Sequence, residues 1–137
     1  MKKLALYIIM ILWNEQLLAQ MDSCELVHVI ENLLECVMEE GCLYSSKDSI
    51  QVSLDKNKFA LPDWRYQSDN NTFEVFRGYA HDPNKSVEIS ISSIVYRNSN
   101  IVLNFYSGST VGCFGWMEFK CTDGIKLYDK EISRYVD

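Results

Sequence analysis

The sequence has few of the residues that catalysis requires. Its two histidines, His28 and His81, are the whole supply of imidazole for acid–base chemistry. The chain has no Gly-x-Ser-x-Gly nucleophile elbow, no His-Glu-x-x-His zinc motif and no glycine-rich phosphate loop. These absences argue against the common serine hydrolases, zinc proteases and nucleotide-binding enzymes, so we assign no catalytic residue and no cofactor.

Positive charge is also scarce. The chain has 13 Lys and Arg against 19 Asp and Glu, which gives a formal net charge of −6. The basic residues are scattered singly, apart from Lys2 and Lys3 at the start. A nucleic-acid-binding domain needs a cationic stripe to displace counterions from phosphates. The composition therefore excludes nucleic acid as the expected partner.

Apolar runs are too short to span a bilayer. The run from Leu4 to Trp13 has about half of the roughly 20 residues that a span needs. It follows Met1-Lys2-Lys3 and precedes Leu17-Leu18-Ala19, which ends in a small residue. A basic start, an apolar run and a small residue for cleavage are typical of a secretory signal.

We therefore expect a signal peptide at 1–19 and a single small domain at 20–137, exported to a secreted or periplasmic location. After cleavage no membrane span remains. Leu17 replaces the small residue usual two places before the cleavage point, so an uncleaved anchor stays an alternative.

The clearest secondary-structure pattern lies at 22–40. The apolar positions follow one face of a helix and comprise Leu26, Ile30, Leu33, Leu34 and Val37. Asp22 and Glu25 have the form of an N-terminal capping box. Gly41 suits the left-handed position just after a helix.

The remainder has the composition of short strands. Six β-rich runs lie at about 50–54, 73–79, 86–97, 100–107, 114–121 and 125–130. Asn98-Ser99 and Asp123-Gly124 are typical of hairpin turns, and Ser92-Ser93 predicts a β-bulge. The segment 55–72 is predicted to be a long loop.

These elements predict an α+β fold, with one N-terminal amphipathic helix packed on a curved antiparallel β-meander. This arrangement resembles cystatin-like and nuclear-transport-factor-2-like (NTF2-like) rolls in architecture alone. The cystatin motif Gln-x-Val-x-Gly is absent, since the nearest segment is Gln51-Val52-Ser53-Leu54. We therefore claim no family.

Five cysteines in an exported chain can form disulfides. Cys24 and Cys36 lie on one helix, about 18 Å apart at 1.5 Å per residue, and cannot pair. Cys42 follows Gly41 and is expected to fold back on the last helical turn, so we predict a Cys36–Cys42 disulfide. Cys24 is left free or available to join two chains. No Cys-x-x-Cys pair exists, and no metal site is predicted.

The candidate binding residues are aromatic. Trp116 alternates with Glu118 and Lys120, on the strand face opposite Met117 and Phe119. Trp64 and Tyr66 lie in the predicted loop. Exposed aromatic rings beside polar groups can form ligand-binding surfaces. The strand carboxylates Glu74, Glu88 and Glu118 are interpreted as solvent-facing.

The sequence as a whole favours an exported binding or interaction domain whose ligand, a protein or a small molecule, is not identified. One alternative is a small secreted hydrolase that uses His28 or His81 with a nearby carboxylate. Another is a periplasmic inhibitor or immunity-type protein whose acidic surface neutralises a basic toxin.

Overall fold

The computed structural model describes residues 3, 26–43, 49–69, 71–78, 86–108 and 111–136. In these residues a helix, α1, covers 26–39 and precedes seven strands of one mixed sheet. The strands are β1 (Ser49–Leu54), β2 (Trp64–Gln67), β3 (Thr72–Arg77), β4 (Ile89–Arg97), β5 (Asn100–Gly108), β6 (Val111–Lys120) and β7 (Lys126–Val136). The predicted α+β class is confirmed. The predicted capping residues Asp22 and Glu25 lie outside the described residues.

One side of α1 is buried at the spacing that the sequence contains. The buried positions are Leu26, Val29, Ile30, Leu33, Leu34 and Val37. His28 and Asn32 are exposed between them, and Glu39 is exposed after Val37. Among the described residues, no helix has both the length and the apolar character needed to cross a bilayer.

The helix ends in a Schellman motif. Gly41 has a φ of 67°, its N–H donates to the Met38 carbonyl, and the Cys42 N–H donates to the Val37 carbonyl. These two bonds satisfy carbonyls that the last helical turn would otherwise leave unpaired. Because of this turn, Cys42 enters the interior, where it is 1% exposed.

The sheet is mixed, and the prediction of a wholly antiparallel meander is wrong. Its strand order is β2-β3-β1-β4-β5-β6-β7, and β1 is parallel to both of its neighbours, β3 and β4. Only β4 to β7 form a consecutive antiparallel series. Strand β2 lies between β1 and β3 in the sequence and runs antiparallel to β3. Strand β3 therefore has the same direction as β1.

Strand β2 lies inside the segment 55–72 that was predicted to be a loop. Its four residues pair antiparallel with β3, with Trp64 opposite Val75 and Tyr66 opposite Phe73. The segment before it turns at Asp55, whose carboxylate accepts the Asn57 N–H at 2.9 Å. A four-residue edge strand has too few alternating positions to stand out in the sequence.

Local turn signals in the second half of the sheet are confirmed. Asn98 and Ser99 have φ values of 49° and 70° and join β4 to β5 as a two-residue hairpin. The register of β4 against β5 shifts between Ile91 and Ser93, which is the predicted bulge. Asp123 also has a positive φ, of 57°, but it lies in a longer connection between Lys120 and Lys126.

Each face of the sheet has a distinct character. The face toward α1, called here the helix face, carries the buried apolar side chains of β1, β3, β4, β5 and β6. The largest of the fully buried side chains on it are Phe73, Phe119, Ile50, Leu54, Ile89, Ile91, Leu103 and Met117. The opposite side, called here the open face, carries Val95, Tyr106 and Phe114, each about half exposed.

Candidate functional site

The structure places the three predicted aromatic residues on two different faces. Trp64 and Tyr66 lie on the helix face, because their partners on β3, Val75 and Phe73, are buried there. Trp116 lies on the open face, since the next residue of β6, Met117, is fully buried on the other side. The three rings therefore do not form one surface.

Tyr66 is tied to the helix. Its hydroxyl donates to a carboxylate oxygen of Glu35 at 2.8 Å, and its ring stacks on Phe73 with centroids 6.0 Å apart. The hydrogen bond to Glu35 is the main cause that raises the pKa of Tyr66 to about 12, with burial second. These contacts fix the edge strand β2 to α1, which is a structural role.

Trp64 is half-buried at the same edge of the sheet. Its ring packs against the core, and its indole nitrogen is fully buried with no described acceptor within hydrogen-bond distance. A buried donor without a partner typically costs about 1–3 kcal/mol. Because this N–H is buried, Trp64 offers no hydrogen-bond donor to a ligand at the surface.

Trp116 lines a depression on the open face. This depression, the Trp116 groove, is formed by Val95, Arg97, Val102, Asn104, Trp116 and Glu118 and has a volume of about 280 Å³. A second depression of about 400 Å³ adjoins it and is formed by Arg97, Asn98, Asn100, Glu118, Lys120, Tyr128 and Asp129. The two share Arg97 and Glu118 in their walls.

The groove is positioned by strand register. Trp116 on β6 stands opposite Asn104 on β5, and the next open-face pair is Glu118 with Val102. Val102 in turn stands opposite Val95 on β4. Side chains on one face of neighbouring strands meet in such rows, so three strands supply the walls of the groove.

Glu118 departs from the sequence prediction. It was interpreted as solvent-facing, but it is only 5% exposed, although it lies on the face away from α1. One of its carboxylate oxygens accepts a hydrogen bond from the Asn100 side-chain amide at 2.9 Å. No Lys, Arg or His among the described residues lies within ion-pair distance of it. Its burial results from cross-strand neighbours that the sequence does not place beside it.

Glu118 retains unused hydrogen-bonding capacity. A carboxylate has about four acceptor sites on its two oxygens. The Asn100 amide fills one of them. Neither Glu118 oxygen is a buried atom without a partner, so the sites that protein donors leave open face solvent. Glu118 lines both depressions, so a ligand there can supply further donors.

The charges around the two depressions are balanced. Arg97 and Lys120 are the cationic residues of their walls, and Glu118 and Asp129 are the carboxylates. Asn104 adds an amide, which donates to the Ser93 hydroxyl at 2.6 Å. The arrangement can therefore both donate and accept hydrogen bonds beside the indole ring of Trp116.

The structure corrects the predicted disulfide. Cys42 pairs with Cys113 on β6, with Cα atoms 5.3 Å apart, and Cys36 carries a free thiol. The reason is the Schellman turn, which sends Cys42 into the core, whereas Cys36 is half-buried on the flank of α1. Burial is the main cause that raises the pKa of the Cys36 thiol. Cys24 lies outside the described residues.

Hydrogen bonds support the disulfide from β5. The Ser107 hydroxyl is fully buried, accepts the Cys113 N–H at 3.2 Å and donates to the Cys42 carbonyl at 3.2 Å. It thus ties both half-cystines to the helix face. A pair at disulfide distance in the core fits an oxidising, extracytoplasmic environment.

The histidines that could serve a hydrolase are placed differently. The imidazole of His28 is two-thirds exposed on α1, with Nδ1 3.4 Å from a carboxylate oxygen of Glu31 one turn later. His28 lines neither of the two open-face depressions. His81 lies outside the described residues. In the part of the chain that the structure describes, no three His, Cys, Asp or Glu side chains are grouped as metal ligands.

No protein-family model matches the chain, and the comparisons with curated proteins and with solved structures likewise find no match.

Proposed function

We propose that the chain is an exported, non-catalytic binding domain and that its ligand binds in the Trp116 groove. The observation that supports this most directly is Glu118, a residue only 5% exposed whose carboxylate lines an open depression. The oxygen of Glu118 that Asn100 does not bond is accessible to solvent, so a donor group of a ligand in the groove can reach it.

The choice of Trp116 over the other two predicted aromatics follows from their contacts. The hydroxyl of Tyr66 is bonded to Glu35, and the indole N–H of Trp64 is covered. Trp116 is half-buried, and its ring lines a depression together with a carboxylate, a guanidinium and an amide. Aromatic side chains with polar groups converging beside them are the usual lining of binding sites.

Export is supported by two features. The first is the basic and apolar start of the chain, Met1-Lys2-Lys3 followed by Leu4 to Trp13. The second is the buried Cys42–Cys113 pair, which would persist in a secreted or periplasmic compartment and would be reduced in the cytosol.

Binding can be tested without knowing the ligand, by fragment screening with NMR. Amide and indole signals of the labelled protein are recorded with apolar, cationic, anionic and polyhydroxylated fragments in turn. We expect hits to cluster on Trp116, Glu118 and Asn104, and to be lost in Trp116→Ala.

The matched control is Phe114→Ala, which removes an exposed ring from the same face of the same strand, two residues away. It should leave the hits in place. Hits spread over the surface, or hits that persist in Trp116→Ala, would overturn the proposed site.

Export is tested by intact-mass spectrometry of the protein from its native source, alkylated with and without reductant. A mass that begins at Gln20 and gains two alkyl groups on reduction would support export. A full-length mass with five thiols alkylated before reduction would contradict it.

A further inference from the structure

The walls of the two adjoining depressions carry both hydrogen-bond donors and hydrogen-bond acceptors. The donors are the Arg97 guanidinium and the Lys120 ammonium, and the acceptors are the Glu118 and Asp129 carboxylates. Asn104 and Asn100 carry amides, which have both kinds of atom. A ligand that forms hydrogen bonds with all of these side chains must carry both donors and acceptors at several positions.

The balance of charge narrows the ligand class. An anion would meet Glu118 and Asp129, and a cation would meet Arg97 and Lys120, so neither has a favoured net attraction. A wholly apolar ligand would cover the Glu118 carboxylate without supplying donors, which is costly. A neutral molecule with many hydroxyl groups avoids all three penalties, because each hydroxyl is one donor and two acceptor sites.

The indole of Trp116 adds a second requirement. Asn104 stands opposite Trp116, and Val102 and Val95 lie in the next row with Glu118, so apolar and polar side chains are interleaved along the groove. A pyranose ring has the matching character, since its C–H groups form an apolar face while its hydroxyls project around the rim. An apolar ring face can pack on the indole while the hydroxyls reach Glu118 and Arg97.

The length of the site indicates more than one ring. Trp116 and Lys120 lie on one face of β6 four residues apart, which corresponds to about 13 Å at 3.3 Å per residue. Both depressions are open at the surface and share Arg97 and Glu118 in their walls. A chain of linked sugar rings can therefore run along β6 without entering a closed cavity.

From these observations we propose that the Trp116 groove binds a neutral oligosaccharide, with a sugar ring on Trp116 and its hydroxyls on Glu118 and Arg97. This inference rests on the proposed binding function and specifies its ligand class.

The test is an NMR and calorimetric titration of the mature protein with three probes: maltohexaose, cellohexaose and hexa-N-acetylchitohexaose. The three differ in linkage and in the acetamido group, so their order distinguishes plain glucans from N-acetylated amino-sugar polymers. We expect at least one to bind saturably at millimolar concentrations or below. Its shifts should map to Trp116, Glu118 and the row around Asn104.

Variants connect the binding to named groups. Trp116→Ala should weaken binding about tenfold or more, since aromatic anchors carry most of such binding energy. Glu118→Gln, which keeps the shape but removes the charge, should weaken it about tenfold. If Glu118→Gln fails to fold, Arg97→Gln on the exposed rim tests the same contact. Phe114→Ala is the control and should bind like the natural chain.

The outcomes separate the two proposals. If none of the three probes binds while fragments of another class occupy the groove, the oligosaccharide inference fails and the binding function stands. If probes bind but Trp116→Ala binds equally well, the inference also fails. If neither probes nor fragments bind at the groove, both proposals fail.

Discussion

The two faces of the sheet differ in how deeply their side chains are buried and in how polar they are. On the helix face, α1 and the strands bury apolar side chains completely, and a disulfide joins the end of the helix to β6. On the open face, aromatic rings are half exposed, and the carboxylate of Glu118 is buried with one described hydrogen bond. The first face holds the apolar core, whereas the second presents aromatic and polar side chains around a depression.

This difference predicts opposite responses to mutation. Substitutions on the helix face should lower the free energy of unfolding strongly and leave the groove chemistry intact. Substitutions of the groove residues on the open face should change that free energy little, or even raise it, while they remove binding.

The largest effect is expected from a phenylalanine pair. Phe73 on β3 is fully buried, and Phe73→Ala should lower the free energy of unfolding by about 3–5 kcal/mol, because it leaves a cavity in the core. Phe114→Ala removes the same ring from the open face and should cost less than about 1 kcal/mol. Urea denaturation followed by circular dichroism measures both. Equal losses would mean that the open face is covered by the rest of the chain.

The disulfide is the next largest contribution. Cys42→Ala combined with Cys113→Ala should lower the free energy of unfolding by about 2–4 kcal/mol, since the bridge closes a loop between residues 71 apart. Cys36→Ala is the matched control, because that thiol is free and only half-buried, and it should change stability much less. Denaturation with and without reductant checks both variants. A loss from Cys36→Ala as large as that from the double variant would restore the Cys36–Cys42 pairing, because both variants would break that bridge.

The local features of the fold are the ones that the sequence predicts. The helix period, the turn at Gly41, the hairpin at Asn98-Ser99 and the bulge at Ser92-Ser93 depend on nearby residues, and each follows from local patterns. Met117 and Phe119 were also assigned to the buried side of β6, where they lie.

What the sequence does not contain is which distant elements meet. The parallel pairing of β1, the Cys42–Cys113 bridge and the burial of Glu118 join segments far apart along the chain. Glu118 alternates with Trp116 and Lys120 as an exposed residue would, and it is buried only because β4, β5 and β7 place side chains around it. For the same reason the sequence does not show that Trp64 and Tyr66 lie on the face opposite Trp116, because strand β2 is not expected from it.

Glu118 provides a sharper test of the open face. Glu118→Met replaces a buried carboxylate with an apolar side chain of similar length, and should leave the free energy of unfolding unchanged or raise it by about 1 kcal/mol. Binding of fragments or oligosaccharides in the groove should be lost in the same variant. Such a gain in stability with loss of binding is the pattern expected of a functional residue.

The control is Glu131→Met, since Glu131 is an exposed carboxylate opposite Trp116 on β7. Its effect on stability should stay within about 0.5 kcal/mol. A marked loss of stability in Glu118→Met would instead assign Glu118 a structural role, and thermal denaturation at neutral pH distinguishes the two results.

The smallest predicted effect is the alkaline pH dependence that Tyr66 contributes at the edge of the helix face. Its hydrogen bond to Glu35 raises the pKa of Tyr66 to about 12 in the folded chain, above the ordinary value of 10.0. Because the folded state holds this proton more tightly, the contribution is complete below pH 10 and declines as the pH rises toward 12. Tyr66→Phe should therefore lower the free energy of unfolding by about 1 kcal/mol at neutral pH. The difference in this free energy between the variant and the natural chain should become smaller between pH 10 and 12.

Urea denaturation at a series of pH values measures this difference. Tyr128→Phe is the matched control, since Tyr128 is an exposed tyrosine on β7 for which no described partner lies within hydrogen-bond distance. Its difference from the natural chain should stay near zero throughout the series. No difference for Tyr66→Phe at any pH in the series would show that the hydrogen bond to Glu35 contributes nothing to stability and that packing of the ring on Phe73, which Phe retains, holds the strand. In that case the edge strand would be held to the core by apolar contact alone, as the rest of the helix face is.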